Sequence, residues 1–234
     1  MENRSGCVVC GRPLVYTRDP VERKCHYCGS TSRSTAACEN GHFVCDACHS
    51  GSANDLIERY CCATDSRAPL AMAATLMRDS RVKMHGPEHH FLVPAVLLAA
   101  YANQTGRDPT TRAEWIRKAR PRGEQVPGGF CGFNGACGAA IGTGIFVSVA
   151  LGATPLSGNE WRLANLMTSE ALRAIAEQGG PRCCKRDSFL ALRGAVDFMR
   201  RELSVDLPAE DSPHCEWSAL NRECQREECP FFTG

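Results

Sequence analysis

The sequence has no long uncharged apolar run and no surplus of charge of either sign. Its 27 lysines and arginines face 26 acidic residues, for a net charge of +1. That balance gives no broad electrostatic footprint for nucleic acid or an anionic membrane. It leaves room only for a local patch such as Arg18, Arg23, Lys24 and Arg33. The longest apolar stretch, Cys137–Leu151, is broken by Gly138, Gly142 and Gly144 and is short for a bilayer. The opening Met-Glu-Asn-Arg-Ser-Gly has no apolar signal core, so a cytoplasmic protein with reduced thiols and no membrane partner is expected. Two enzyme signatures are also missing. No strand leads into a glycine-rich cofactor turn, which argues against a methyltransferase. No Cys-x3-Cys-x2-Cys occurs, which argues against a radical-SAM enzyme.

Against these absences stand 16 cysteines. In a reduced chain, clustered thiols point to metals. Cys7-x-x-Cys10 and Cys25-x-x-Cys28 each form a turn that aims two thiolates at one ion, and together they predict a four-sulfur zinc site. The residues between them, Gly11–Tyr16, read as a turn and a short strand. A second zinc is expected from Cys38, Cys45 and Cys48, with His42 favoured over His49 as the fourth ligand; His26 reads as a bystander. A segment this poor in apolar residues needs such ions to fold, because metal binding supplies on the order of 10 kcal/mol. Residues 1–52 are therefore read as a zinc-ribbon or treble-clef-like module.

From residue 53 to 234 the pattern is mostly α. Helices are expected over Asn54–Tyr60, Asp65–Asp79 (capped by Asp65) and Pro87–Asn103 (with Pro94 kinking it). Thr111-x-x-Glu114 and Ser157-x-x-Glu160 read as capping boxes, the first opening a short helix to Lys118 and the second a helix to about Glu177. Pro121–Phe130 reads as a loop, Ala139–Leu151 as a helix of small residues, and a last helix follows Asp187. In that last helix Phe189, Leu192, Val196, Met199 and Leu203 are spaced for one apolar face.

Three segments carry candidate chemistry. His85-Gly-Pro-Glu88-His89-His90 would ring a helix start with titratable groups, though not at zincin spacing. Cys131 and Cys137 lie in a glycine-dense run, with Cys137 at a helix N-terminus, where the dipole favours thiolate. Cys183-Cys184-Lys185-Arg186 adds two more thiols beside cations that lower thiol pKa. Cys131, Cys137, Cys183 and Cys184 together match the ligand complement of an iron–sulfur cluster. At the C-terminal end Cys215, Cys224 and Cys229, joined by His214, Cys61 or Cys62, suit a further metal site.

The run Phe130–Pro155, with Cys-Gly-Ala-x-x-Gly at Cys137–Gly142, resembles a family of redox proteins with a C-GCAxxG-C-C pattern, from which it departs in placing Cys131 inside the glycine run. More closely, HGPEHHFLVPA, CGFNGACGAAIGTGIFVSVALG and RCCKRDSF are similar to an uncharacterised cysteine-rich family of anaerobic bacteria and archaea, over roughly residues 38–232. Its members sometimes stand beside, or are fused to, methyltransferases and radical-SAM enzymes. The resemblance singles out His85, Glu88, His89, His90, Cys131, Cys137, Cys183 and Cys184. It supplies a setting but no reaction; the thiols at a glycine-rich helix start beside His and Glu lead to the expectation of a metal-binding redox or sulfur-handling protein of anaerobic metabolism, with zinc and an iron–sulfur cluster as cofactors. The competing expectation is a non-catalytic zinc adaptor that docks a methyltransferase, a radical-SAM enzyme or tRNA through its N-terminal fingers.

Overall fold

The computed structural model describes residues 7–234. Its N-terminal module is a two-stranded antiparallel hairpin, β1 (Leu14–Lys24) and β2 (Thr31–Cys38), followed by a single-turn helix α1 (Asp46–Ser50). β1 runs well beyond the short strand that the sequence suggests, and its pairing with β2 shifts between Tyr16 and Val21. Few apolar side chains before α1 are buried apart from Tyr27 and Ala37; the other buried positions are cysteines. The module thus has almost no hydrophobic core of its own.

The body is helical: α2 (Ala53–Ala63), α3 (Pro69–Met77), α4 (Glu88–Gln104), α5 (Pro109–Glu124), α6 (Phe130–Phe133), α7 (Gly138–Leu151), α8 (Asn159–Gln178) and α9 (Cys184–Glu202). α4 is apolar on every side, and every residue from Glu88 to Ala102 is buried. A helix of that kind belongs at the centre. It packs against α2, α3, α5, α7 and α9, while α8 lies outside on α7 and α9. None of the described helices is long and apolar enough to cross a membrane.

Pro94 lies within α4 without ending it. Lacking an N–H, it cannot bond the His90 carbonyl one turn back. Both α5 and α7 come close to that carbonyl: a Cβ on Gly123 would lie 2.9 Å from it, and one on Gly142 would lie 3.2 Å away. Small residues at these points let three helices meet at the His90 turn.

Several helix starts differ from expectation. α3 begins at Pro69, not Asp65; its first free N–H groups, Leu70 and Ala71, donate to the Glu210 carboxylate at 3.2 and 2.8 Å. Asp65 is exposed and stands 3.7 Å from Arg112. α5 is capped by Asp108, which accepts from Thr110 and Thr111 N–H at 2.9 and 3.0 Å, with Pro109 in the first turn. Thr111 therefore lies inside the helix, which continues through Pro121 to Glu124 where a loop was expected. At α8 the cap is Gly158; Ser157 accepts from the Thr154 N–H instead. α9 starts at Cys184, with Asp187 one turn inside it.

A buried clasp joins module to body. Asp79 accepts the Tyr27 hydroxyl at 3.0 Å and pairs with Arg81 at 2.7 Å, and Arg81 in turn donates to the carbonyls of Cys48 and Gly51.

Candidate functional site

The hairpin decides which cysteines meet. Its turn is the Cys25-x-x-Cys28 knuckle, and its open end pairs Leu14 with Cys38, beside the Cys7-x-x-Cys10 knuckle. The chain then returns against the turn, where His26 N–H donates to the Phe43 carbonyl at 2.7 Å and Cys45 N–H points at the Cys25 sulfur at 3.4 Å. Two sets of four result, Cys7–Cys10–Cys38–His42 and Cys25–Cys28–Cys45–Cys48, each with its ligand atoms within 4.8 Å of one another. The ligands interleave, so the expected grouping of the first four cysteines on one ion is corrected. Sequence neighbours are spread across two sites because strand pairing sets distance in space.

Both sets fit a single tetrahedral ion. A Zn–S bond of about 2.3 Å puts sulfurs about 3.8 Å apart. Cys10 and Cys38 are separated by 3.6 Å, and Cys28 and Cys45 by 3.7 Å. A disulfide would require about 2.05 Å, and all 16 cysteines are free. His42 presents Nδ1 at 3.3 Å from Cys10 and 3.4 Å from Cys38, while His49 is exposed on α1. The two sets could hold zinc or a similar ion, with all four positions of each taken by protein.

A second concentration of chemistry surrounds a cavity of about 280 Å³ at the N-termini of α4, α7 and α9. Cys131, Cys137 and Cys184 line it, with His85, His89, His90, Arg182 and Asp187. Gly129, at φ 80°, turns the chain into α6, which carries Cys131. Gly138 lies against the His90 ring, leaving no space for a Cβ.

The histidines differ in what they offer. His90 Nδ1 donates to the Val126 carbonyl at 2.9 Å, which fixes the tautomer and leaves the Nε2 lone pair free. His85 Nε2 lies 3.2 Å from Asn221 Oδ1, so it carries the proton; its buried Nδ1 has no partner among the described residues. His89 is engaged at both nitrogens, donating from Nε2 to the Lys83 carbonyl at 3.0 Å and facing the Ser188 hydroxyl at 3.1 Å. Burial lowers its pKa to about 3, so it is neutral. Glu88 turns away from the cavity and accepts the Lys83 N–H at 2.7 Å.

Burial also dominates the thiols. It pushes Cys137 up to about 12, with Asp187 adding to the rise, even though the N–H groups of Ala139 and Ala140 face the sulfur. It raises Cys184 to about 11. The expectation that a helix N-terminus and nearby cations would lower these thiols is therefore corrected.

The expected tetrad of Cys131, Cys137, Cys183 and Cys184 is not assembled. Cys183 faces a separate crevice with Cys215, Cys224 and Cys229. Cys183 is the extended N-cap residue (φ −135°, ψ 103°) and Cys184 the first helical residue of α9, and this change of backbone sends the two adjacent sulfurs to different sides. Cys61, buried within α2, and Cys62 do not line that crevice. Arg182 and Asp187 also line the cavity, which nothing in their sequence pattern signals; by sequence Asp187 reads only as a cap.

No curated protein and no solved structure matches the chain. A family model covering residues 57–232, from α2 to the end of the cysteine-rich tail and without the N-terminal module, does match. The chain belongs to DUF5714, a family of unknown function.

Proposed function

We propose that the chain is a redox or sulfur-handling protein that holds a thiolate-bound metal cofactor, an iron–sulfur cluster, in the cavity at the start of α4, α7 and α9. The observation that carries this reading is the convergence of three cysteines and the imidazoles of His85 and His90 on one 280 Å³ space. Thiols pushed up to about 11 and 12 by burial are poor free nucleophiles at neutral pH. A bound metal deprotonates a thiol outright, so these groups suit ligation better than unaided thiol chemistry. Among the described residues no three ligand atoms here lie within the 4.8 Å that marks the N-terminal sets. Ligands held apart around an open volume suit a cluster better than one ion.

In this reading Cys131, Cys137 and Cys184 are the thiolate ligands. His90 Nε2 is a fourth ligand or a proton carrier, and Arg182 offers positive charge to an anionic substrate. His85 is tied to Asn221 of the tail, and His89 and Glu88 hold the turn that presents His90. The test is purification and reconstitution without oxygen, followed by iron and sulfide counting and visible absorption. Iron lost in Cys131→Ser, Cys137→Ser or Cys184→Ser, with zinc retained, is the expected result. A colourless, iron-free protein after reconstitution would overturn the cluster.

The N-terminal hairpin favours a second reading. Leu14, Val15, Tyr16 and Val21 are exposed beside Arg18, Arg23, Lys24 and Arg33. An apolar and basic face on a zinc-held scaffold suits docking to a partner enzyme, such as a methyltransferase or radical-SAM protein, or to tRNA. Retained cellular function in Cys137→Ser, together with loss in Val15→Ser/Tyr16→Ser, would favour this adaptor role.

A further inference from the structure

We propose that Cys183, Cys215, Cys224 and Cys229 form a third metal centre, a four-thiolate site that closes the C-terminal tail over α9 and provides the negative charge that faces buried Lys185. This inference does not depend on the cofactor proposed for the cavity.

The tail after α9 has little to hold it in place. Its only regular structure is two single 3₁₀ turns, Ser218–Leu220 and Arg226–Glu228, and its buried side chains are few. Trp217 and Phe231 pack on Phe189 of α9, with ring centroids 6.3 and 5.3 Å away. Cys215 N–H donates to the Phe231 carbonyl at 2.7 Å, which pinches the two ends of the loop together. An irregular segment of this length, with so small a core, is the usual setting for a metal staple. The four cysteines line one crevice between this loop and the first turn of α9.

The sulfurs are also prepared for negative charge. Arg226 N–H points at the Cys224 sulfur at 3.4 Å, and backbone N–H groups near Cys183 and Cys215 act against the burial that raises both thiols. The N-terminal sets use the same device: Val9 N–H lies 3.4 Å from the Cys7 sulfur, and Asn40 N–H 3.2 Å from Cys38.

The second, independent observation is Lys185. It is 3% exposed, its ammonium bonds the Met77 and Val82 carbonyls at 3.0 and 3.2 Å, and it sits 4.6 Å over the Trp217 ring. No carboxylate lies within 4.0 Å of it among the described residues, whereas its neighbour Arg186 has Asp187. Glu88 is near enough to favour its charge but not in contact, and a buried cation with no anion in contact is costly. Four thiolates on a divalent ion, or on an iron–sulfur cluster, carry net negative charge on the crevice that Lys185 lines. Binding replaces the four thiol protons with metal and needs no oxidant. No three of these sulfurs lie within 4.8 Å in this structure, a spacing wider than in the N-terminal sets, so the common chemistry is a thiophilic metal and experiment separates ion from cluster.

The full chain is purified without oxygen from cells supplied with zinc and iron, and zinc, iron and sulfide are counted per chain. Cys224→Ser and Cys229→Ser are expected to lose one centre, either one zinc or one cluster's iron and sulfide, and to keep two zinc ions. Cys137→Ser is expected to retain that centre, so a failure of the cavity reading is distinguishable from a failure of this one. Metal content equal to wild type in both tail variants would overturn the proposal. Alkylation of the unaltered chain guards against misfolded variants. Cys183, Cys215, Cys224 and Cys229 should gain reactivity together when a chelator is added. If Cys215, Cys224 and Cys229 react at once while the N-terminal sets stay protected, there is no centre. Lys185→Met should weaken metal retention against the chelator about tenfold or more; unchanged retention would refute the charge pairing.

Discussion

Gly138→Ala tests the construction of the cavity. A methyl carbon at this position falls far inside the 3.4 Å of ordinary contact with Cγ, Cδ2 and Nε2 of His90. The ring must retreat by more than an ångström, and its 2.9 Å bond to the Val126 carbonyl cannot survive that shift. Overpacking of this kind costs about 1–3 kcal/mol, and the lost hydrogen bond about 1 kcal/mol more. Alanine returns at most about 1 kcal/mol as a better helix former than glycine, less at a helix end. The net cost is about 1–3 kcal/mol, or a Tm drop of roughly 3–10 °C for a chain of this size. The control is His90→Ala, which removes the ring. In that background Gly138→Ala should be neutral or mildly stabilising, because the new methyl enters vacated space. The double-mutant cycle, measured by denaturant unfolding at fixed metal content, should give a coupling of at least about 1 kcal/mol. Equal costs of Gly138→Ala in the two backgrounds would refute the claim that this glycine exists to seat His90.

The interleaved ligands predict that Cys10→Ser and Cys38→Ser lose the same metal ion, and Cys28→Ser and Cys45→Ser the other; metal counting of double variants should show no further loss within a set and two ions lost across sets. Asp79→Asn should loosen the clasp to the module by about 2–4 kcal/mol, visible as faster proteolysis between α1 and α2. Burial raises the pKa of Asp79, but its bonds to Arg81 outweigh this and hold it below the ordinary 3.8. The clasp is therefore complete at neutral pH and is lost only as pH falls below about 4, through the depressed value; a clasp already weakened at pH 6 would contradict this. Ser52→Ala should cost about 1 kcal/mol, since Ser52 and Asp55 form a capping box at α2, with bonds of 3.2 and 2.9 Å; an unchanged urea midpoint would count against it.

Periodicity and composition revealed the helices but not their partners. Phe189, Leu192 and Met199 are buried as their spacing implies, whereas the central place of α4 comes from the structure. The cap of α3 could not be read, because Glu210 lies 139 residues from Ala71. The start of α5 was misplaced because Asp108-Pro109 and Thr111-x-x-Glu114 are competing local signals, and the carboxylate that reaches two N–H groups wins. The cysteine knuckles were legible as metal ligands, since two thiolates per turn is a local property. Which knuckle joins which depends on strand pairing, and that is not local.

The same reasoning explains why neither HGPEHH nor RCCKRD acts as a single site. Each opens a helix, and consecutive residues in a first turn fan outward by about 100° a step. In α4 the fan sends Glu88 back to the Lys83 N–H, His89 to the Lys83 carbonyl and Ser188, and His90 to Val126 with one nitrogen left for the cavity. At the start of α9 the extended N-cap residue Cys183 faces the tail crevice, while the helical turn after it sends Cys184 to the cavity and Lys185 to the carbonyls of Met77 and Val82. The density of reactive residues in each motif therefore reflects a helix start wedged between several neighbours, each needing its own polar partner. The members of these two motifs that keep a free face toward an open volume are His85, His90 and Cys184 at the cavity and Cys183 at the tail, and the adjacency of Cys183 and Cys184 places the two volumes back to back across one peptide bond.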